Sequence, residues 1–172
     1  GVQPNPSIEN IEEARRLYLK NGCEGIIAFG GGSPMDCAKA AGARVMNPNQ
    51  SVSQMRGELK IRHKLPPFFA VPTTAGTGSE TTLAAVVTNM QTHEKYAIND
   101  PKLRPKYAVL DPELTTGLPQ KITSTTGMDA LTHAVEAYIG LSGTKSTNDY
   151  AEKATKLIFE NLETAYNDGK NL

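Results

Sequence analysis

The tightest constraint on this chain is the run Gly25-Ile26-Ile27-Ala28-Phe29, which opens directly into Gly30-Gly31-Gly32-Ser33-Pro34-Met35-Asp36. A short apolar run bounded by glycine marks a strand buried on both faces of a parallel sheet. Three glycines let the backbone turn sharply and come close to a ligand. Ser33 is placed to cap a following helix, Pro34 to take its first position, and Asp36 to complete a capping box. A strand that turns on glycine into a helix presents free N–H groups and the positive end of a helix dipole, which together suit a pyrophosphate. A tight turn without a ligand has the same letters, so the motif alone leaves both readings open. It is neither G-x-G-x-x-G nor G-x-x-x-x-G-K-[ST], and readings as a kinase or as the common dinucleotide fingerprint lose support.

Around this junction the chain alternates. Residues 7–21 carry Ile8, Ile11, Ala14, Leu17 and Tyr18 at helical spacing, with Gly22 to stop the helix. Buried-strand runs of the same kind are read at 68–71, 83–88, 95–99 and 107–110. From Pro119 the pattern changes to two long helices, 120–138 and 148–166. The expectation is an α/β fold, with a parallel-sheet domain over 1–118 and a helical domain beginning over 119–172. The stretch 47–67, rich in Pro, Gln and basic residues, reads as a surface loop.

A second junction repeats the first. Val71-Pro72-Thr73-Thr74-Ala75-Gly76-Thr77-Gly78-Ser79-Glu80 follows a strand, and its small and hydroxyl residues can aim donors at a ligand on the carboxyl edge of a sheet. The plain alternative is a turn whose hydroxyls satisfy their own backbone. A third motif, residues 127–138, sets Asp129 and His133 four positions apart, on one face of a helix, where both could hold one divalent ion. Such a pair is more often a surface hydrogen bond, but apolar Met128, Leu131, Ala134 and Val135 point to a buried helix, and a buried carboxylate needs a cation or a hydrogen-bond partner.

Charge narrows the class. Eighteen basic and eighteen acidic side chains cancel, which leaves no field for gathering nucleic acid or anionic lipid. No apolar run approaches the roughly 20 residues that span a bilayer and nothing in the opening residues reads as a leader, so the expectation is a cytoplasmic protein with neither partner. Cys23 and Cys37 have no C-x-x-C partner and read as buried, reduced thiols.

Taken together, Pro4-Asn5-Pro6, the 30–36 loop, the 71–80 loop, Asp111-Pro112 and the 127–138 helix resemble the iron-containing (group III) alcohol dehydrogenases, which include lactaldehyde reductases, propanediol dehydrogenases and butanol dehydrogenases. The resemblance implies that Gly31, Gly32 and Ser33 hold the cofactor pyrophosphate. It implies that Asn5 touches the nucleotide, that Thr73, Thr74 and Thr82 line the cofactor, and that Lys95 reaches its ribose. Asp129 and His133 would be the first two of four metal ligands, with no catalytic residue beyond the ligands; His63 and His93 do not fit the other two. The family's remaining histidines would fall past Leu172 and its opening strands before Gly1. The expectation is therefore an internal piece, a dinucleotide-binding domain lacking its first strands followed by the start of a metal-binding helical domain. The implied cofactors are ferrous iron or zinc, and NAD or NADP. The implied chemistry is hydride transfer with a small primary alcohol, a diol or its aldehyde, in a homo-oligomer when intact. A zinc-dependent polyol dehydrogenase and a non-catalytic nucleotide-binding module are the alternatives.

Overall fold

The computed structural model describes residues 1–172, and the chain divides into two units. The first comprises Gly1–Thr73 and Ser79–Leu110; the second comprises Thr74–Gly78 and Asp111–Leu172. In the first unit, helix α1 (Ile8–Lys20) starts at Ser7, whose hydroxyl takes the Asn10 amide in a reciprocal capping box, and the chain leaves its end through Gly22 at φ +60°. Strand β1 (Ile26–Gly30) leads into α2 (Gly32–Met46). It pairs in parallel with β3 (Phe68–Pro72), which pairs in parallel with β6 (Tyr107–Ala108).

This sheet departs from the sequence expectation. Ala28, Phe68 and Ala70 are buried with Met35 of α2, but Ile27 is 73% and Phe29 60% exposed. One face of β1 is therefore covered and the other is open. An apolar run reports that both faces can be buried; it cannot report whether both are covered.

A second departure concerns β4 (Ala84–Asn89) and β5 (Glu94–Asn99), read as further parallel strands. They form an antiparallel hairpin, and β5 also pairs with β2 (Gly57–Glu58), so a separate sheet runs β2-β5-β4. The short connection Met90–His93, with His93 at φ +56°, permits the reversal, since only antiparallel strands can be joined so tightly.

The 47–67 stretch is also more than a surface loop. It holds a 3₁₀ turn (Ser53–Met55) and β2, and it buries Val52, Met55 and Ile61 beside Ile11, Ile98 and Leu103. Each such side chain contributes about 1.5–3 kcal/mol on burial. The loop is tied by polar bonds invisible in its composition: Asn47 Oδ1 accepts from the amides of Arg62 and His63, and the buried Asp100 carboxylate accepts from the Ile61 amide.

In the second unit, α3 (Gln120–Ile139) packs on α4 (Lys145–Asn167), the latter opened by a Thr144/Thr147 capping box. Of the α3 residues only Ala134 is buried, while Met128 and Val135 are 52% and 42% exposed. The expected burial of this helix is therefore not met within these residues, because α4 covers a single side of it. Cys37 is buried as expected, whereas Cys23 is exposed; both are free thiols.

Candidate functional site

The glycine turn departs from its sequence reading in a way that exposes more backbone. Helix α2 begins two residues earlier than expected, with Gly31 as its cap (φ −80°, ψ −163°) and no side chain capping it. Gly31, Gly32 and Ser33 thus occupy the cap and first two positions, whose N–H groups have no partner inside a helix. Pro34, which has no N–H to leave unmet, follows. Gly30 is required here: at φ +142° an added Cβ would lie 2.8 Å from Pro34 Cγ.

Ser33 and Asp36 do not cap. The Ser33 hydroxyl accepts from the Asn5 amide at 3.1 Å, which brings Asn5, at φ +57°, against the head of α2. The Asp36 carboxylate faces inward and accepts from the Ser79 hydroxyl at 2.7 Å and the Val86 amide at 3.0 Å. Burial pushes the Asp36 carboxyl above its usual range, against the pull of those two bonds and of Lys39 and Lys95.

The strand ends supply the remaining edge. The Thr73 amide donates to the Gly30 carbonyl at 3.0 Å, so both loops leave the carboxyl edge of neighbouring parallel strands, where open α/β sheets place their ligands. Thr74 Oγ1 is buried without a hydrogen-bond partner. A glycine turn that leaves the amides at the head of its helix without a capping side chain is what a phosphate-bearing ligand would satisfy, and the residues present fit such a group. Thr82 Oγ1 accepts from Lys39 Nζ at 3.0 Å. Lys95 is exposed on β5, opposite Thr88 of β4.

Lys39 was not singled out from the sequence. It is fully buried, and its Nζ donates to the Ser79 hydroxyl, the Thr82 carbonyl and hydroxyl, and the Ala84 carbonyl at 2.9–3.1 Å. Burial lowers it from 10.5 to about 8, opposed by Asp36 and Glu80. The signal was present: a lone lysine inside Cys37-Ala38-Lys39-Ala40-Ala41 lies on a helix too small-sided to be a solvent face.

The second unit carries Asp129 and His133 on α3, with His133 Nε2 3.9 Å from Asp129 Oδ1 and both side chains about half exposed. A carboxylate oxygen and an imidazole nitrogen are suitable donors for a divalent ion. No third His, Cys, Asp or Glu joins them. His63 and His93 stand elsewhere, one donating its amide to Asn47 and the other turning the β4–β5 hairpin. No helix is long and apolar enough to cross a membrane.

Comparison with known proteins follows the same order of motifs. Residues 1–112 match the family described as iron-containing alcohol dehydrogenase, and residues 123–172 match the C-terminal part of the Fe-containing alcohol dehydrogenase family. The 1,3-propanediol dehydrogenase of Klebsiella pneumoniae is 41% identical over 172 residues, covering 100% of this chain and 44% of that protein. The alcohol dehydrogenase from Oenococcus oeni superposes with a TM-score of 0.96 at 40% identity, over 99% of this chain and 44% of that one. Sulfoacetaldehyde reductase from Bifidobacterium kashiwanohense, solved in complex with NAD+, gives 0.90 at 36% identity, covering 99% of this chain and 45% of that one. The chain thus spans less than half the length of these relatives. The glycine turn, the threonine loop and the Asp/His helix fall in sequence within the two family patterns, and the chain belongs to the iron-containing alcohol dehydrogenase family.

Proposed function

We propose that these residues form the cofactor platform and half of the metal site of an NAD(P)-dependent alcohol dehydrogenase acting on a small primary alcohol or diol, or on its aldehyde. The observation that carries the reading is the convergence of Asn5, the Gly30–Ser33 turn and Thr73 on one sheet edge. A relative solved with NAD+ supports the class of ligand.

In this reading Gly31, Gly32 and Ser33 donate backbone N–H groups to the pyrophosphate, at the positive end of α2. The Asn5 amide fixes the Ser33 side chain. Thr73, Thr74 and Thr82 offer hydroxyls to the nicotinamide half, and the exposed Lys95 ammonium reaches a ribose. Asp129 and His133 would hold the metal, iron by the family and open to zinc by the chemistry of the donors. When bound, the metal supplies Lewis-acid stabilisation of an alkoxide, and the nicotinamide carries the hydride. The protein residues orient and bind; no nucleophile of the chain is needed. A non-catalytic nucleotide-binding module is the second reading, favoured for these residues alone by the two-donor metal set.

The test is a fluorescence titration of the chain with NADH, repeated on Gly31→Asp. A carboxylate at the helix head repels phosphate, and affinity should fall about tenfold or more, equivalent to about 1.4 kcal/mol. Equal affinity in the two proteins would remove the cofactor assignment.

A further inference from the structure

The proposed roles leave one cluster without a task. Lys39 is a fully buried cation on α2, three residues beyond Asp36, and its four acceptors lie at the end of the threonine loop and just after it: Ser79, Thr82 twice, and Ala84. Asp36 grips the same segment through Ser79 and Val86. Two charges from one helix therefore fix the 79–82 turn and the start of β4 by six side-chain bonds to Ser79, Thr82, Ala84 and Val86 from Nζ and one carboxylate. A buried lysine is costly to keep, and a helix so rich in alanine could have filled the space with an apolar side chain.

We infer that Lys39 is a positioning residue for the cofactor, acting through Ser79 and Thr82 by holding the 79–82 turn against the helix whose head carries Gly31, Gly32 and Ser33. The inference rests on the cofactor reading above. Lys39 itself cannot touch a ligand, since no part of it is exposed. Its contribution is to place the Thr82 hydroxyl, which accepts from Nζ while donating at 3.5 Å to the Ser79 carbonyl, so that the turn is closed on itself. Loss of the lysine removes the donor shared by Ser79, Thr82 and Ala84 and leaves Asp36 as the remaining α2 charge that holds the turn.

Protonation supplies a readout that packing alone would not move. An ammonium offers three N–H donors to its four acceptors, while a neutral amine offers two. The charged groups that act on Lys39 are Asp36 on α2 and Glu80 within the turn; Lys95 of β5 acts on Asp36, which also acts on Cys37. Burial holds Lys39 at about 8 and raises Cys37 to about 11, so between pH 7 and 9 the lysine is the one of these two that changes charge.

The test uses the 172-residue chain, with NADH as the probe. Lys39→Met is expected to bind NADH about tenfold more weakly than wild type, the scale of one charge-assisted hydrogen bond lost. Wild-type affinity should fall as pH rises through about 8, and the Lys39→Met profile should be flat over the same range. Ser79→Ala, a milder change that keeps the lysine, should weaken binding about threefold, and it serves where Lys39→Met loses its helical circular dichroism. Wild-type binding that is flat from pH 7 to 9, or equal affinity in a folded variant, overturns the inference and leaves the cofactor reading standing. A wild-type chain that binds no NADH overturns both.

Discussion

Gly76 sits at φ +139° in the second unit, and a Cβ there would collide with the Thr126 carbonyl of α3. Neither backbone can yield cheaply, so Gly76→Ala should destabilise that unit by roughly 3 kcal/mol. Gly127 is also crowded, but by the end of the Leu162 side chain, which can swing aside. Gly127→Ala should cost about 1 kcal/mol. Thermal melts followed by helical circular dichroism give the ranking, and a reversed order would contradict this packing. Lys39 makes a different prediction at the same scale. Its folded value, lowered from 10.5 to about 8, means that the unfolded chain holds the extra proton between those two pH values. Stability attributable to this residue therefore rises with pH from about 8 to 10.5 and is lost again as pH falls, by an amount on the order of 3 kcal/mol. Urea midpoints of wild type against Lys39→Met at pH 7 and pH 10 should diverge in favour of wild type at the higher pH. A constant difference would show that burial does not lower the lysine's value in the folded chain.

At the scale of elements, the sequence was most legible where a local signal settled the outcome. Helix α1 announced itself by its apolar stripe and Gly22, and β1 by its run into glycine. What could not be read was pairing. The apolar content of β4 and β5 is compatible with either strand direction, and only the short connection through His93 decided it. Cover could not be read either: Ile27, Phe29, Phe69, Tyr107 and Val109 are all at least 36% exposed, along β1, β3 and the chain at β6, with Phe69 stacked on Tyr107 at 4.7 Å. Such residues gain little from folding, so Phe29→Ser should change stability by less than about 0.5 kcal/mol. The same substitution should reduce binding of an apolar dye and slow association of the chain, measured by light scattering. A large loss of stability would mean that this face is covered in solution.

At the scale of the molecule, the candidate site was legible as a set of motifs but not as a geometry. Asn5 and Ser33 lie 28 positions apart and touch through a backbone amide, which no side-chain pattern encodes. Lys39 escaped notice because a single charge among alanines carries no periodicity. The Asp129 and His133 pair was placed on one helix by spacing alone, and the structure holds it there with two donors only. Catalytic metal sites use at least three protein ligands. The 172-residue chain, supplied with ferrous iron or zinc, NAD+ and a panel of small diols and primary alcohols, is therefore expected to show no sustained turnover. Turnover that His133→Ala abolishes would show a site completed in another way.

Helix α2 is held along its whole length. Met35 enters the core under the parallel sheet, Cys37, Ala40, Ala41 and Ala43 enter the core under the other sheet, and Arg44 joins Glu12 of α1 and the carbonyls of Asn47, Pro48 and Gln50. Asp36 and Lys39 lock the middle. A rod fastened at so many depths cannot slide by a residue or fray from one end, because each step would strand a charge in a dry interior. Its amide protons should consequently resist exchange with heavy water until the entire first unit opens, and any ligand arriving at its head would meet a shelf that has no slower motion of its own to wait for.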